Sequence, residues 1–240
     1  KMQSNVLSPK FIVPFASMVR FCHEENNYMN DSINTPRKTV EFINSNTSSK
    51  AFLMKPYETW NGKDYKNNDD SMLYWDKAYE AALKRNLIRQ EKFYNRKEIL
   101  EVYEKMIIRV KDKNNLTIIK ILSLFSIIPA LKIKITDLDV IYSFSWHKGL
   151  RQLKKTDDSF IEMTSESFHF LLSYDYGIDT LNVNARFKGT LTQKKKIIRS
   201  FSILALNNMG RYISFKGIFS ILFEPKLIQK GLKTVGLSKS

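Results

Sequence analysis

The chain has 240 residues, 43% hydrophobic and 12% aromatic, with a formal net charge of +15. That composition supports a buried core and excludes a disordered chain. One cysteine excludes an internal disulfide and any zinc site made of several cysteines, and it fits a reducing, cytoplasmic setting.

Residues 1–20 alternate polar and apolar types and lack the apolar core of a signal peptide. Residues 7–15 (LSPKFIVPF) hold a short apolar run between prolines, which predicts a strand entering a loop. At Asn34-Thr35-Pro36, Thr35 suits an N-cap and Pro36 a first helical residue, so TPRKTVEFINS should be a short helix. Periodicity is lost from Thr47 to Asp70, a long loop of the kind that covers active sites. Ser71 to Leu87 restores a helical pattern, with Leu73, Ala78, Ala81 and Ala82 toward one side. A further helix over Asn95 to Arg109 should bury Ile99, Leu100, Val102, Tyr103, Met106 and Ile107. Leu116 to Leu131 (LTIIKILSLFSIIPAL) is the most apolar stretch, ended by Pro129 and short of the roughly 20 residues that span a bilayer. Its polar face is too small for an interfacial helix, so a buried helix is predicted.

Beyond Pro129 the pattern changes. LKIKITDLDVIYSFSW alternates and is rich in β-branched and aromatic residues, and His147-Lys148-Gly149 should turn between two strands. FIEMTSESFHFLLSY predicts a strand, then a short helix capped by Thr164 or Ser165. DTLNVNARF reads as a strand with Leu181, Val183, Ala185 and Phe187 on one face, and FSILALNNMGRYISF as further β or mixed structure. The fold class is α+β, in four stretches: 1–60, a helical segment 61–131, an α+β module 132–224 and a basic tail 225–240.

Chemistry-bearing motifs are sparse. The chain has no Gly-rich phosphate loop, no G-x-S-x-G elbow and no H-E-x-x-H. Of the three histidines, His147 falls at a turn and His169 between two phenylalanines, as a structural residue would. His23-Glu24-Glu25 is the best candidate, since consecutive loop residues can face one ion and this set suits zinc or iron. Two ligands do not hold a catalytic metal, and the remainder would have to come from distant carboxylates such as Asp31, Asp64, Asp69 or Asp70. Cys22 reads as a small buried residue. Trp60, Trp75 and Trp146 read as packing residues of a core or cleft.

PFASMVRFCHEENNYMNDSINTP (14–36), together with the Trp60 loop, resembles the end of the metallo-β-lactamase-fold part of a group of metal-dependent hydrolases. That group includes CMP-N-acetylneuraminate hydroxylase and bacterial relatives encoded with surface-polysaccharide genes. GIDTLNVNARF (177–187) is similar to the segment those proteins carry after that fold, and the module around it resembles sterol-carrier-like folds that enclose an apolar pocket. The resemblance implies that residues 1–60 are the remnant of an αββα edge, followed by an antiparallel sheet module. It also departs from the family pattern: the metal-holding H-x-H-x-D-H loop is absent, and Ala16 stands where a late P-x-H ligand is found.

The expectation that follows is a C-terminal portion of such a hydrolase, inactive alone, whose metal would sit in the full-length protein, with none in this chain by itself. Asn26, Tyr28, Asn30, Asp31 and Trp60 would line the substrate cleft. The expected partner is the missing N-terminal half or another chain, with a second copy of this one as a further option. The alternative is a non-catalytic module with an apolar, lipid-like pocket in the C-terminal region. Nucleic acid is not an expected partner, because the lysines are scattered and no recognition motif is present. A membrane surface could be met through Lys194-Lys195-Lys196 and the tail Lys226–Lys239.

Overall fold

A computed structural model describes residues 2–15, 19–66, 68–154 and 160–215. The expected basic tail 225–240 and Ala16 lie outside them. The fold is α+β and divides into two units, Lys1–Arg89 and Gln90–Ser240.

The first unit begins with α1 (Met2–Leu7) and β1 (Phe11–Ile12), the latter at the predicted strand between prolines. A 3-10 turn over Asn27–Ser32 leads to α2 (Pro36–Asn46), which starts as predicted: the Thr35 hydroxyl accepts from the Lys38 amide at 3.3 Å, and Pro36 opens the helix. β2 (Lys50–Ala51) interrupts the predicted loop and pairs in parallel with β1, Phe11 opposite Lys50 and Ile12 opposite Ala51. Asn44 fixes that pairing by accepting from the Ala51 amide at 2.7 Å. α3 (Asn68–Leu83) follows. It buries Ser71 and Met72, and Trp75 donates to the Met54 carbonyl at 2.9 Å; Leu73, expected inward, is exposed. Val40, Ala51, Leu53 and Met72 form a small core.

In the second unit, α4 (Arg96–Lys113) starts in a capping box: Asn95 accepts from the Glu98 amide while Glu98 accepts from the Asn95 amide. Ile99, Val102, Met106 and Val110 make its buried stripe, the i, i+3, i+4 spacing that sequence periodicity anticipates. α5 (Leu116–Leu124) is nine residues long and stops well before Pro129. Phe125 and the left-handed Ser126, with φ of 57°, close it. Ile118 and Ile119 face the core while Ile121, Leu124, Phe125 and Ile127 are exposed, so the helix expected to be buried is half exposed.

The sheet comprises β3 (Leu131–Ile135), β4 (Val140–Ser145), β5 (Gly149–Leu153) and β6 (Ile161–Met163), in the order β5-β4-β3-β6. β3–β4 and β4–β5 are antiparallel, as alternation and the His147 turn predicted. β6 pairs with β3 in parallel, so the sheet is mixed and not antiparallel throughout. α6 (Ser165–Ser173) follows β6: Thr164 caps it, and Asp137 accepts from the Ser165 amide and hydroxyl, holding the helix start beside the end of β3.

Two further expectations change. DTLNVNARF is not a strand: α7 (Gly177–Val183) covers most of it, burying Ile178 and Leu181 at i, i+3. FSILALNNMG forms α9 (Ser202–Asn208), after α8 (Leu191–Ser200), a helix that opens in a Thr190–Gln193 capping box. The inner sheet face, with Ile133, Ile135, Tyr142 and Phe144, packs in one core with α4, α6, α7 and α9. Phe144 stacks on Phe201 at 5.0 Å, and Trp146 donates to the Ser200 carbonyl at 2.7 Å.

Candidate functional site

The His23 stretch uses its polar groups to build backbone. Asn26 is buried, and its side-chain oxygen accepts from the His23 amide at 3.0 Å. Asn30 accepts from the Phe21 amide at 2.9 Å and donates to the Phe21 carbonyl at 2.8 Å, closing the loop across nine residues. His23 itself forms a β-bridge with Ile88. Glu24, Tyr28 and Asp31 are exposed, Glu25 half-buried. Trp60 lies in an aromatic cluster, edge-on to Phe11 at 5.3 Å and to Phe52 at 5.1 Å, with Tyr65 stacked on Phe52 at 4.5 Å. Among the described residues, no three His, Cys, Asp or Glu side chains come together as a metal site. His23, Glu24 and Glu25 thus do not converge into a three-ligand donor set among the described residues.

The loop before α3 contains a more highly organised polar cluster, which sequence reading did not single out. The Glu58 carboxylate accepts from the Lys55 amide at 2.7 Å, from the Ser71 hydroxyl at 3.0 Å and from the Tyr65 hydroxyl. Lys55 bonds Asp70 and lies 3.6 Å from Glu58. Burial pushes the Glu58 pKa up, but the hydrogen bonds and the Lys55 charge outweigh it and hold it at about 2. Burial and the Glu58 carboxylate raise Tyr65. Ser71 is fully buried, so this cluster fastens a loop and presents no nucleophile.

In the second unit, His169 lies flat on Tyr94 at 3.7 Å, and burial lowers its pKa. The Ser173 hydroxyl is 3.3 Å from His169 Nδ1 but donates to the His169 carbonyl at 2.8 Å, a local helix back-bond and not a nucleophile–base pair. His147 occupies the β4–β5 turn.

The outer face of the sheet offers the clearest recess. Register places Lys134, Ile141 and Leu153 side by side on it, and next to them Lys132, Ser143 and Arg151. A hollow of about 600 Å³ opens there. Val140, Ile141, Leu153 and Phe160 supply its apolar surface, while Lys134, Lys154, Gln152 and Asp139 supply polar groups. Lys134 lies 3.8 Å from Asp139. Alternation in LKIKI and VIYSFS signals the two-faced sheet, yet the partnership of Lys134 with Ile141 and Leu153 needs the register. The chain, compared with known proteins, matches no family model, no curated protein and no solved structure.

Proposed function

We propose that this chain is a non-catalytic binding module and that the outer-face hollow takes an anionic amphiphile, such as a fatty acid or a lysolipid. The observation that carries this reading is the pairing of an apolar floor (Ile141, Leu153, Phe160) with Lys134 and Lys154 in the lining of one recess. An acyl chain on that floor loses water-exposed area at about 25 cal/mol per Å², and the lysines favour a carboxylate or phosphate head. A volume of about 600 Å³ is within the range of small-molecule sites. The ligand recess differs from the enclosed pocket expected from sequence, because the inner face of the sheet is filled by packed side chains. Fluorescent fatty-acid titration below the micellar concentration tests it. Saturable binding should weaken roughly tenfold or more in Leu153→Asp; no binding by the unaltered chain, or equal binding by the variant, overturns the proposal.

A second reading, completion of a metallo-β-lactamase-like hydrolase by a partner, is supported by the β1–β2 pair. Two residues per strand leave most of a parallel ladder to be supplied from elsewhere. The metal, zinc or iron, would then be held by the partner. Metal analysis tests this second reading: stoichiometric zinc or iron with hydrolase activity in this chain alone overturns the claim that it needs completion.

A further inference from the structure

We propose that the second unit docks on an anionic lipid bilayer through the outer end of α5 and the cationic groove beside α8. The residues differ from those of the amphiphile recess, so the proposal stands independently of it.

The apolar half of the surface arises from how α5 ends. The Phe125 amide bonds the Ile121 carbonyl, Ser126 turns left-handed, and the Ile128 amide returns to the Leu122 carbonyl at 3.2 Å. That turn buries Ile128 and pushes its neighbours outward, leaving Leu124 60%, Phe125 71% and Ile127 50% exposed, with Ile121 49% exposed one turn earlier. Contiguous apolar side chains in water mark an interaction surface.

The cationic half adjoins it. Two hollows, of about 460 and 230 Å³, share Ala130 and Lys196 and so form one groove. Lys132, Lys195, Lys196 and Arg199 line it, and no carboxylate is among the lining residues of either hollow. Lys195 and Arg199 are four residues apart on α8, about 6 Å between their Cβ atoms. Ser126 and Pro129, at the root of the apolar ridge, line the same groove. Leu191, the chain neighbour of the lining residue Thr192, is exposed as well.

Charge and apolarity in one surface select the partner. A nucleic acid would satisfy the cations but leave four large apolar side chains in water. A bilayer interface accepts both, with aliphatic and aromatic side chains entering the headgroup boundary and lysines and arginines meeting lipid phosphates. Among the described residues no helix is long and apolar enough to cross a membrane, so the contact is peripheral. Ser126 gives the ridge its shape, and α8 gives the cations theirs.

Co-sedimentation of the whole chain with phosphatidylcholine vesicles, with and without phosphatidylserine, tests this. The chain should partition onto the anionic vesicles and leave them as salt rises. Lys195→Gln with Arg199→Gln should weaken partition about thirtyfold, at about 1 kcal/mol per charge. Leu124→Ser with Phe125→Ser should weaken it about tenfold or more. All four sites are on the surface, and unchanged circular dichroism shows that the variants fold. Leu153→Asp should partition like the unaltered chain, which separates this test from that of the recess. Three results would each overturn the proposal: no partition; an apolar double variant that partitions normally while binding a single-stranded oligonucleotide, which makes the groove a nucleic-acid site; or conversion of a dimer to a monomer by that variant without vesicles, which makes the ridge a self-association face.

Discussion

Replacing Glu58 by glutamine removes one charge and no volume, and tests whether the loop before α3 is fastened electrostatically. The carboxylate accepts three hydrogen bonds, from the Lys55 amide, the Tyr65 hydroxyl and the Ser71 hydroxyl. A fall in pKa from 4.5 to about 2 equals about 3 kcal/mol in favour of the ionised folded form. The side chain is 15% exposed and Lys55 reaches solvent, so screening trims the usable part to about 1–2 kcal/mol. All three hydrogen bonds fall on Oε2, which the glutamine oxygen can keep, while its NH2 takes the place of Oε1 beside the Lys55 ammonium; with the charge removed, Glu58→Gln should cost about 1–2 kcal/mol at pH 7.

The sign with pH follows from the direction of the shift. A carboxylate with a depressed folded-state pKa stabilises fully above its unfolded value, 4.5, and progressively less as pH falls toward 2. Urea unfolding should therefore show a midpoint lower by about 1 M in the variant at pH 7, and a gap that narrows at pH 3. Hydrogen exchange at pH 7 should quicken about tenfold or more in peptides covering residues 52–66, and stay unchanged in α4. Identical midpoints at pH 7, or a gap that does not narrow with acid, would refute the electrostatic account.

Two substitutions test the second unit. Tyr142 is 1% exposed and its hydroxyl meets no partner among the described residues, so Tyr142→Phe should leave thermal stability equal or raise it by about 0.5–1 kcal/mol; a loss above 1 kcal/mol would reveal a partner. Gly177→Ala sets a Cβ 2.8 Å from the Leu171 carbonyl oxygen and 3.0 Å from the Leu171 Cα, both backbone, so it should cost about 1–3 kcal/mol in chemical denaturation. An unaffected variant would show that α6 and α7 can part there.

How much was legible depends on the range of the interactions. Caps at Thr35, Asn95, Thr164 and Thr190 act within three residues; local signals named Thr35 outright and Thr164 as one of two options, the other being Ser165. Strand β3 was legible because LKIKI alternates as its burial does, and β4 because VIYSFS is rich in β-branched and aromatic residues. DTLNVNARF misled for the same reason: Thr, Val and alternating apolar positions imitate a strand, while the contact of Gly177 with Leu171 and the burial of Ile178 and Leu181 make it helical. α5 was misjudged through its length. The left-handed turn at Ser126 is a tertiary choice, and it exposes residues that hydropathy alone assigns to the core.

The candidate sites separate along the same line. His23, Glu24 and Glu25 drew attention because they are adjacent in sequence, yet sequence neighbours in an irregular segment share no obligatory direction, and the asparagines beside them are spent on backbone amides and carbonyls. The groups that do converge come from distant positions. Lys134, Ile141 and Leu153 meet through strand register, and Ala130, Lys132 and Lys196 through the packing of α8 beside β3. None of these residues is unusual locally; a lysine in an alternating strand reads as a solvated face. Scattered lysines argued against a charged surface in one dimension, and the fold gathers some of them next to a ridge of exposed apolar side chains. Lys132, Lys195, Lys196 and Arg199, four of the chain's 39 lysines and arginines, thus come together beside β3 and α8.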